Sequence, residues 1–178
     1  MPKLLNPTYV FLTLFWVTPL FSTSAAEMRV TMEPPQGWVV EHSEKSTKKA
    51  NPEIVFLAPK GRDACFIIND IGGFIQSADK DKYLRKTHLF WYHMVRKKLP
   101  ERDNLEKFST RNGVYMISIF EDPKLKGKPV VLGNYKYTIH ITGIVDGKRV
   151  VNCGLLSHEK DGKDLKEVKA ALSKLRAK

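Results

Sequence analysis

The sequence predicts an α+β fold, a mainly antiparallel sheet with two helices packed on it in an α/β/α sandwich-like arrangement. Strand-forming segments flank short turns at residues 145–147 and 112–113, and apolar residues follow helical spacing over 79–99 and 161–175. Strands joined by such short turns pair antiparallel. Helices that are separated by hairpins are typical of α+β proteins, in which each helix covers part of the sheet.

The clearest hairpin spans residues 135–156. Apolar and polar residues alternate along its first strand, so one face is expected in the core and the other in contact with water. A two-residue loop would pair Ile141 with Asn152, whereas a three-residue loop would pair Ile141 with Val151. We predict the three-residue loop, because it places apolar residues opposite each other.

Two further hairpins and a first strand complete the predicted sheet. A type I turn at 58–61 has Pro at its second position and Gly at its fourth. The Asn-Gly pair at 112–113 predicts a two-residue loop that sets Phe108 against Ile117. Residues 41–51 are predicted to form a polar surface loop, and the strands of this part of the sheet are expected at 29–32, 53–58, 63–69, 105–111 and 114–120.

Both predicted helices carry one apolar face. The first covers 79–99, with Ser77 or Asp79 as its N-terminal cap and Pro100 after its end. Its aromatic face is expected to lie on the sheet. The second covers 161–175, and its aliphatic residues share one side: Leu165, Val168, Leu172 and Leu175.

Residues 1–26 have the features of a cleaved signal peptide. Lys3 precedes an apolar core at 9–21, and small residues at 24 and 26 predict cleavage after Ala26. The alternative is a transmembrane anchor, which needs about 20 apolar residues and is disfavoured by Pro19. We therefore expect an exported protein, periplasmic or secreted, with residues 27–178 as a single domain.

The chain has two cysteines, Cys65 and Cys153. An even pair in an exported protein predicts a disulfide bond, and two buried free thiols are the alternative. Cys153 is also expected near His140 across the central hairpin, so a Cys–His pair of a small secreted hydrolase is a second possibility for this thiol. Cys153 lies in the middle of a predicted strand, where no helix N-terminus stabilises a thiolate.

No other pattern predicts catalysis, a metal or a cofactor. His88 and His93 are five residues apart, which separates them by about 140° around a helix, so they do not converge on a metal. His88 is instead expected at the edge of the core. Glu121 and Asp122 are adjacent in an extended segment and point apart, unlike the paired carboxylates of a glycosidase.

The formal net charge is +11, and the basic residues are spread along the chain. An acidic protein or an anionic envelope component is the expected partner, and no nucleic-acid recognition motif is present. The alternative is that the charge, including that of the loop at 124–129, only keeps the protein soluble. Two clusters of lysines lie in predicted loops, and these are the candidate binding residues: Lys124, Lys126 and Lys128 in the first cluster, and Lys45, Lys48 and Lys49 in the second.

The chain resembles the PsbP-like and DcrB-like family of extracytoplasmic α/β/α proteins. The residues that carry the resemblance are PPQGW at 34–38 after a first strand, the hairpin at 54–69, the helix opened by 77–84, and the closing hairpin with its amphipathic helix. The insert at 124–129 and the two cysteines depart from the family pattern. Because the family is mostly non-catalytic, the resemblance implies an accessory protein.

These observations lead to three hypotheses of function. The first is an exported non-enzymatic accessory or binding protein that presents basic loops to an anionic or acidic cell-envelope partner, including the case of an immunity-type inhibitor. The second is the small hydrolase that uses Cys153 and His140. The third is a carrier of an apolar ligand held between the sheet and the aromatic residues of the first helix: Phe90, Trp91, Tyr92 and Met94.

Overall fold

The computed structural model describes residues 29–44, 53–73, 79–96 and 105–178. The predicted signal peptide and residues 45–52, which include Lys45, Lys48 and Lys49, lie outside these ranges. The elements of the described part are β1 (Val30–Thr31), β2 (Val39–Glu44), β3 (Glu53–Leu57), β4 (Cys65–Gly73), α1 (Lys80–Arg96), β5 (Leu105–Ser109), β6 (Gly113–Glu121), β7 (Tyr137–Val145), β8 (Arg149–Ser157), α2 (Lys163–Leu172) and β9 (Arg176–Ala177).

Strands β2 to β8 form one antiparallel sheet in the order β2-β3-β4-β8-β7-β6-β5. This arrangement confirms the predicted α+β class. Strands β1 and β9 pair with each other in a separate two-stranded ladder. The backbone N–H of Arg29 donates to the Asp70 carboxylate on β4 at 2.9 Å, which ties this ladder to the main sheet.

Each face of the sheet carries one helix. Strand residues alternate between the faces, and α2 covers the face that contains the larger core, where Leu165, Val168 and Leu172 are buried against residues of the strands. On the other face α1 places Leu84 against Met116 and Ile144. The predicted aliphatic face of the second helix, with Leu175 just beyond α2, is confirmed.

The predicted register of the central hairpin is wrong by two residues. Ile141 pairs with Cys153, and the loop covers 146–148 because Val145 pairs with Arg149. The left-handed backbone falls on Asp146 and Gly147, at φ 48° and 62°. Long-range bonds hold this loop: Asp146 N–H donates to the Asn112 carbonyl at 2.6 Å, and its carboxylate accepts from Ala177 N–H at 2.8 Å.

The other two predicted turns are each displaced by one residue. Phe108 pairs with Tyr115 instead of Ile117. The Thr110 hydroxyl accepts from the N–H of Gly113 at 3.0 Å, so the turn centres on residues 111–112. In the β3–β4 hairpin the N–H of Arg62 donates to the Pro59 carbonyl at 3.0 Å, which places that turn at 59–62.

Residues 41–44, predicted as part of a surface loop, belong to the edge strand β2. The first helix begins as predicted, because the Asp79 carboxylate accepts from the N–H of Lys82 at 2.9 Å. Its aromatic residues do not share one face: Tyr92 is buried, whereas Phe90 is 57% exposed. This division removes the continuous aromatic surface that the ligand-carrier hypothesis needs.

Candidate functional site

The long connection between β6 and β7, residues 122–136, contains the first predicted lysine cluster, and we refer to it as the basic loop. Its base is closed by a bond from Asp122 N–H to the Lys136 carbonyl at 2.9 Å. Two consecutive turns follow, in which Leu125 N–H donates to Asp122 and Lys128 N–H donates to Leu125, at 3.0 and 3.1 Å. The Asp122 carboxylate also accepts from Lys124 N–H at 2.9 Å. The backbone of the loop is therefore hydrogen-bonded.

The three loop lysines, Lys124, Lys126 and Lys128, are all exposed. None of them forms an ion pair with a carboxylate in the described ranges, in contrast to several other lysines of the chain: Lys107, Lys136, Lys163, Lys169 and Lys174. The basic loop therefore presents three charges that other described residues leave uncompensated, at the position that the sequence predicted.

An aliphatic tip follows the loop lysines. Val130, Val131 and Leu132 are 65%, 54% and 75% exposed. A turn in which Asn134 N–H donates to the Val131 carbonyl at 3.0 Å shapes the tip. The signal in the sequence that could have indicated the tip is a run of three aliphatic residues directly after a basic segment.

Asp63 anchors the basic loop to the β3–β4 turn. Its carboxylate accepts from the N–H of Gly133 at 2.7 Å and is 2.9 Å from Nε2 of His158. The Tyr135 ring packs against the His158 ring, with centroids 5.6 Å apart. Burial raises the pKa of Tyr135, and the charge of Asp63 adds to that shift. The C-terminal half of the loop is thus attached to the body of the protein.

Arg62, next to this anchor, connects the same turn to α2. Its guanidinium forms ion pairs with Asp164 and Glu167 and lies over the Trp38 ring, 5.7 Å from the centroid. The indole N–H of Trp38 donates to Glu167 at 2.7 Å. The hydrogen bond with Glu167 is the main reason that the pKa of Arg62 is raised. This network holds the β3–β4 turn against α2, next to Asp63, the residue that binds the basic loop.

A second polar cluster lies in the interface between α1 and the sheet. Nε2 of His88 is 2.7 Å from the Ser118 hydroxyl, and Nδ1 is 3.1 Å from the Thr142 hydroxyl. A Ser–His contact is the first requirement of nucleophilic catalysis. Here, however, His88, Ser118 and Thr142 are completely buried, and burial lowers the pKa of His88 to about 4. The two hydroxyls provide hydrogen-bond partners for both nitrogens of a buried imidazole, as predicted for His88, and the cluster is closed to a substrate.

The two cysteines do not form the predicted disulfide, and both thiols are free and buried. Cys65 pairs with Leu156, whereas Cys153 pairs with Ile68 on the same two strands. Because Cys65 and Ile68 are an odd number of residues apart, their side chains point to opposite faces, and so do the two sulfurs. Cys153 belongs to the core beneath α2, and Cys65 lies on the other face.

The same alternation excludes the Cys–His pair. His140 pairs with Gly154, the residue after Cys153, and its ring lies on the α1 face, 4.8 Å from the His88 ring between centroids. Cys153 is on the α2 face. The sheet therefore separates the thiol from the imidazole, and the hydrolase hypothesis is wrong in this form.

We expect thiol labelling of the unreduced protein to detect two free thiols after denaturation and almost none in the native state. Burial raises the pKa of Cys65 to about 12 and also raises that of Cys153, so neither forms a reactive thiolate near neutral pH. A chromogenic disulfide reagent, used with and without denaturant, measures the number of accessible thiols in the denatured and in the native protein. Two blocked cysteines in the unreduced, denatured chain would contradict the arrangement of β4 and β8.

In the described ranges no group of three or more His, Cys, Asp or Glu side chains could hold a metal ion, and no helix is long and apolar enough to cross a bilayer. The sequence matches no protein-family profile and no curated protein. The basic loop is the candidate site because it combines exposed lysines with a hydrogen-bonded backbone.

Proposed function

We propose that this chain is an exported, non-enzymatic binding protein that presents the basic loop to an anionic or acidic partner of the cell envelope. The observation that carries the proposal is the pairing of exposed, uncompensated lysines with a hydrogen-bonded loop backbone. A loop that is ordered before binding loses less conformational entropy on complex formation. A rigid sheet that positions a charged loop is a common way to build a binding surface.

The architecture also supports the proposed relationship to the PsbP-like and DcrB-like family. A seven-stranded antiparallel sheet with a helix on each face agrees with an α/β/α sandwich. The segment at 34–38 that carried the resemblance contributes Trp38, which is 5% exposed and belongs to the α2-side core. An accessory role is the part of the proposal that follows from this relationship, whereas export is proposed from the predicted signal peptide.

Neutralising the three loop lysines to Gln is expected to weaken binding of an acidic polypeptide about 10-fold at low ionic strength, because each exposed charge pair contributes below about 1 kcal/mol. Titration of labelled polyglutamate, followed by fluorescence anisotropy, measures the dissociation constant. The melting temperature is expected to stay unchanged, since the lysine side chains are exposed and make no ion pair within the described part of the chain.

A matched control has the same change in net charge away from the loop. It replaces three exposed lysines of the two helices with Gln: Lys82, Lys86 and Lys166. Binding by the loop requires that this control keeps most of the wild-type affinity. Equal losses in the two triple variants would show that polyglutamate senses only the overall charge, and the proposed function of the loop would then be wrong.

A further inference from the structure

We infer that the partner of the basic loop is the surface of an anionic phospholipid bilayer. In this arrangement the aliphatic tip enters the headgroup region, and the loop lysines lie beside the lipid phosphates. The inference rests on the proposed function and names its partner class. It is carried by the exposure of three consecutive aliphatic residues directly beside uncompensated positive charge.

The exposure of the aliphatic tip needs an explanation. Leu132 is 75% exposed, and its two neighbours exceed half exposure, so three consecutive aliphatic side chains are in contact with water. Such patches mark sites of contact with proteins or membranes. A segment that combines aliphatic residues with lysines is suited to the bilayer interface, where apolar groups are buried and cations meet anionic headgroups.

The composition of the loop favours a bilayer over an acidic protein. Residues 123–134, the part of the loop that precedes Tyr135, contain lysine and aliphatic residues but no Arg and no aromatic residue. Protein interfaces are enriched in Tyr, Trp, Phe, Met and Arg and depleted in Lys. Lysine carries a compact charge, whereas the planar guanidinium of Arg binds anions in a fixed bidentate geometry. Lipid headgroups are mobile, so a compact charge is sufficient to bind them.

The placement of the tip is consistent with insertion. Gly133, directly after the tip, is held by Asp63, so the backbone behind the tip is attached to the β3–β4 turn. Exposed aliphatic residues also begin the edge strand β2: Val39 is 62% exposed and pairs with Leu57, the residue at which β3 ends. Both apolar surfaces therefore lie at the same end of the sheet.

A fluorophore on the tip tests the inference in the full chain. The native thiols are 3% and 1% exposed, so Val130→Cys provides a thiol that an environment-sensitive dye labels selectively. Vesicles of equal parts phosphatidylcholine and phosphatidylglycerol are expected to shift the emission to the blue, and added salt should reverse the shift. The dye reports from the loop itself, so binding that keeps the loop away from the bilayer leaves its emission unchanged.

Three controls separate this contact from other effects. A dye at Ser109→Cys, exposed at the opposite end of the sheet, should keep its aqueous emission. With the dye at residue 130, neutralising the loop lysines to Gln should lower the partition coefficient about 100-fold. Replacing Val131 and Leu132 with Ser should lower it by about 10-fold or more, because the tip then gains less from burial.

Two results would overturn the inference. An unshifted dye at residue 130, with polyglutamate binding still dependent on the loop lysines, would favour an acidic protein partner and leave the proposed function intact. A blue shift that survives both the lysine and the serine replacements would show that other residues bring the dye to the membrane. If the lysine replacements also left the affinity for polyglutamate unchanged, the proposed function itself would be wrong.

Discussion

Replacement of Gly143 with Ala is expected to destabilise the protein by about 3 kcal/mol or more, because it overpacks the centre of the core. A Cβ atom at this position would lie 2.3 Å from Cδ1 and 2.4 Å from Cε1 of Tyr115. The Tyr115 ring is completely buried, stacks on Phe108 with centroids 4.7 Å apart, and donates its hydroxyl to the Leu172 carbonyl at 2.9 Å. The ring cannot move aside without loss of these contacts.

Chemical denaturation of Gly143→Ala and wild type measures this loss. Gly73→Ala is the matched control, because its Cβ would meet no heavy atom closer than 3.9 Å, and we expect it to cause no loss of stability. A double variant with Tyr115→Leu should be less unstable than the sum of the single changes, since the smaller side chain relieves the clash. Additive effects would show that the Gly143 and Tyr115 sites are not in contact.

The packing of Tyr115 against Gly143 shows what the sequence could and could not predict about the sheet. Both hairpin registers were wrong by two residues, yet the apolar residues of these strands were assigned to one shared face, because side chains alternate with a period of two. The opposite face of the central hairpin was expected in contact with water, whereas His140 and Thr142 on that face are buried against α1.

Each hairpin loop has the predicted length but is displaced by one residue from the position that the local motif indicated. The position of each turn depends on hydrogen bonds to residues far along the chain. For example, the side-chain amide of Asn112 donates to the Ser173 carbonyl at 2.6 Å.

The disulfide prediction failed for a related reason. Cys65 and Cys153 do lie on neighbouring strands, and Cys153 is opposite Ile68, close to Cys65 in the ladder. The two sulfurs share a face only if Cys65 and the residue paired with Cys153 are an even number of positions apart. This number depends on the pairing of β4 with β8, two strands that are distant in sequence. No turn connects β4 with β8, so no local pattern could reveal that number.

The candidate site was predicted in part. The sequence placed the loop lysines in a surface connection, and the structure places them there. It did not indicate the aliphatic tip as a surface feature, because a short run of Val and Leu next to a strand usually continues into the core. The fixed position of the loop depends on Asp63, and the bond from Gly133 to this residue connects positions that are 70 residues apart.

Lowering the pH from 6.5 to 4 is expected to remove about 3 kcal/mol of unfolding free energy through His88 alone. Burial lowers the pKa of this imidazole from 6.5 to about 4 in the folded state. Between these values the unfolded chain binds a proton that the folded chain does not, so stability falls as the pH falls. The contribution is fully present above pH 6.5, and below about pH 4 this group causes no further loss.

The contribution of His88 can be separated from that of the carboxylates with His88→Gln, a side chain that does not titrate and can bond to the Ser118 or Thr142 hydroxyl. Urea denaturation at several pH values should show a shallower decline for this variant than for wild type. His93→Gln, which removes an exposed imidazole from the same helix, should retain the decline that His88 causes. If His88→Gln declines as steeply as wild type, another group is responsible, and His140, whose ring is 4.8 Å away between centroids, is the first to test.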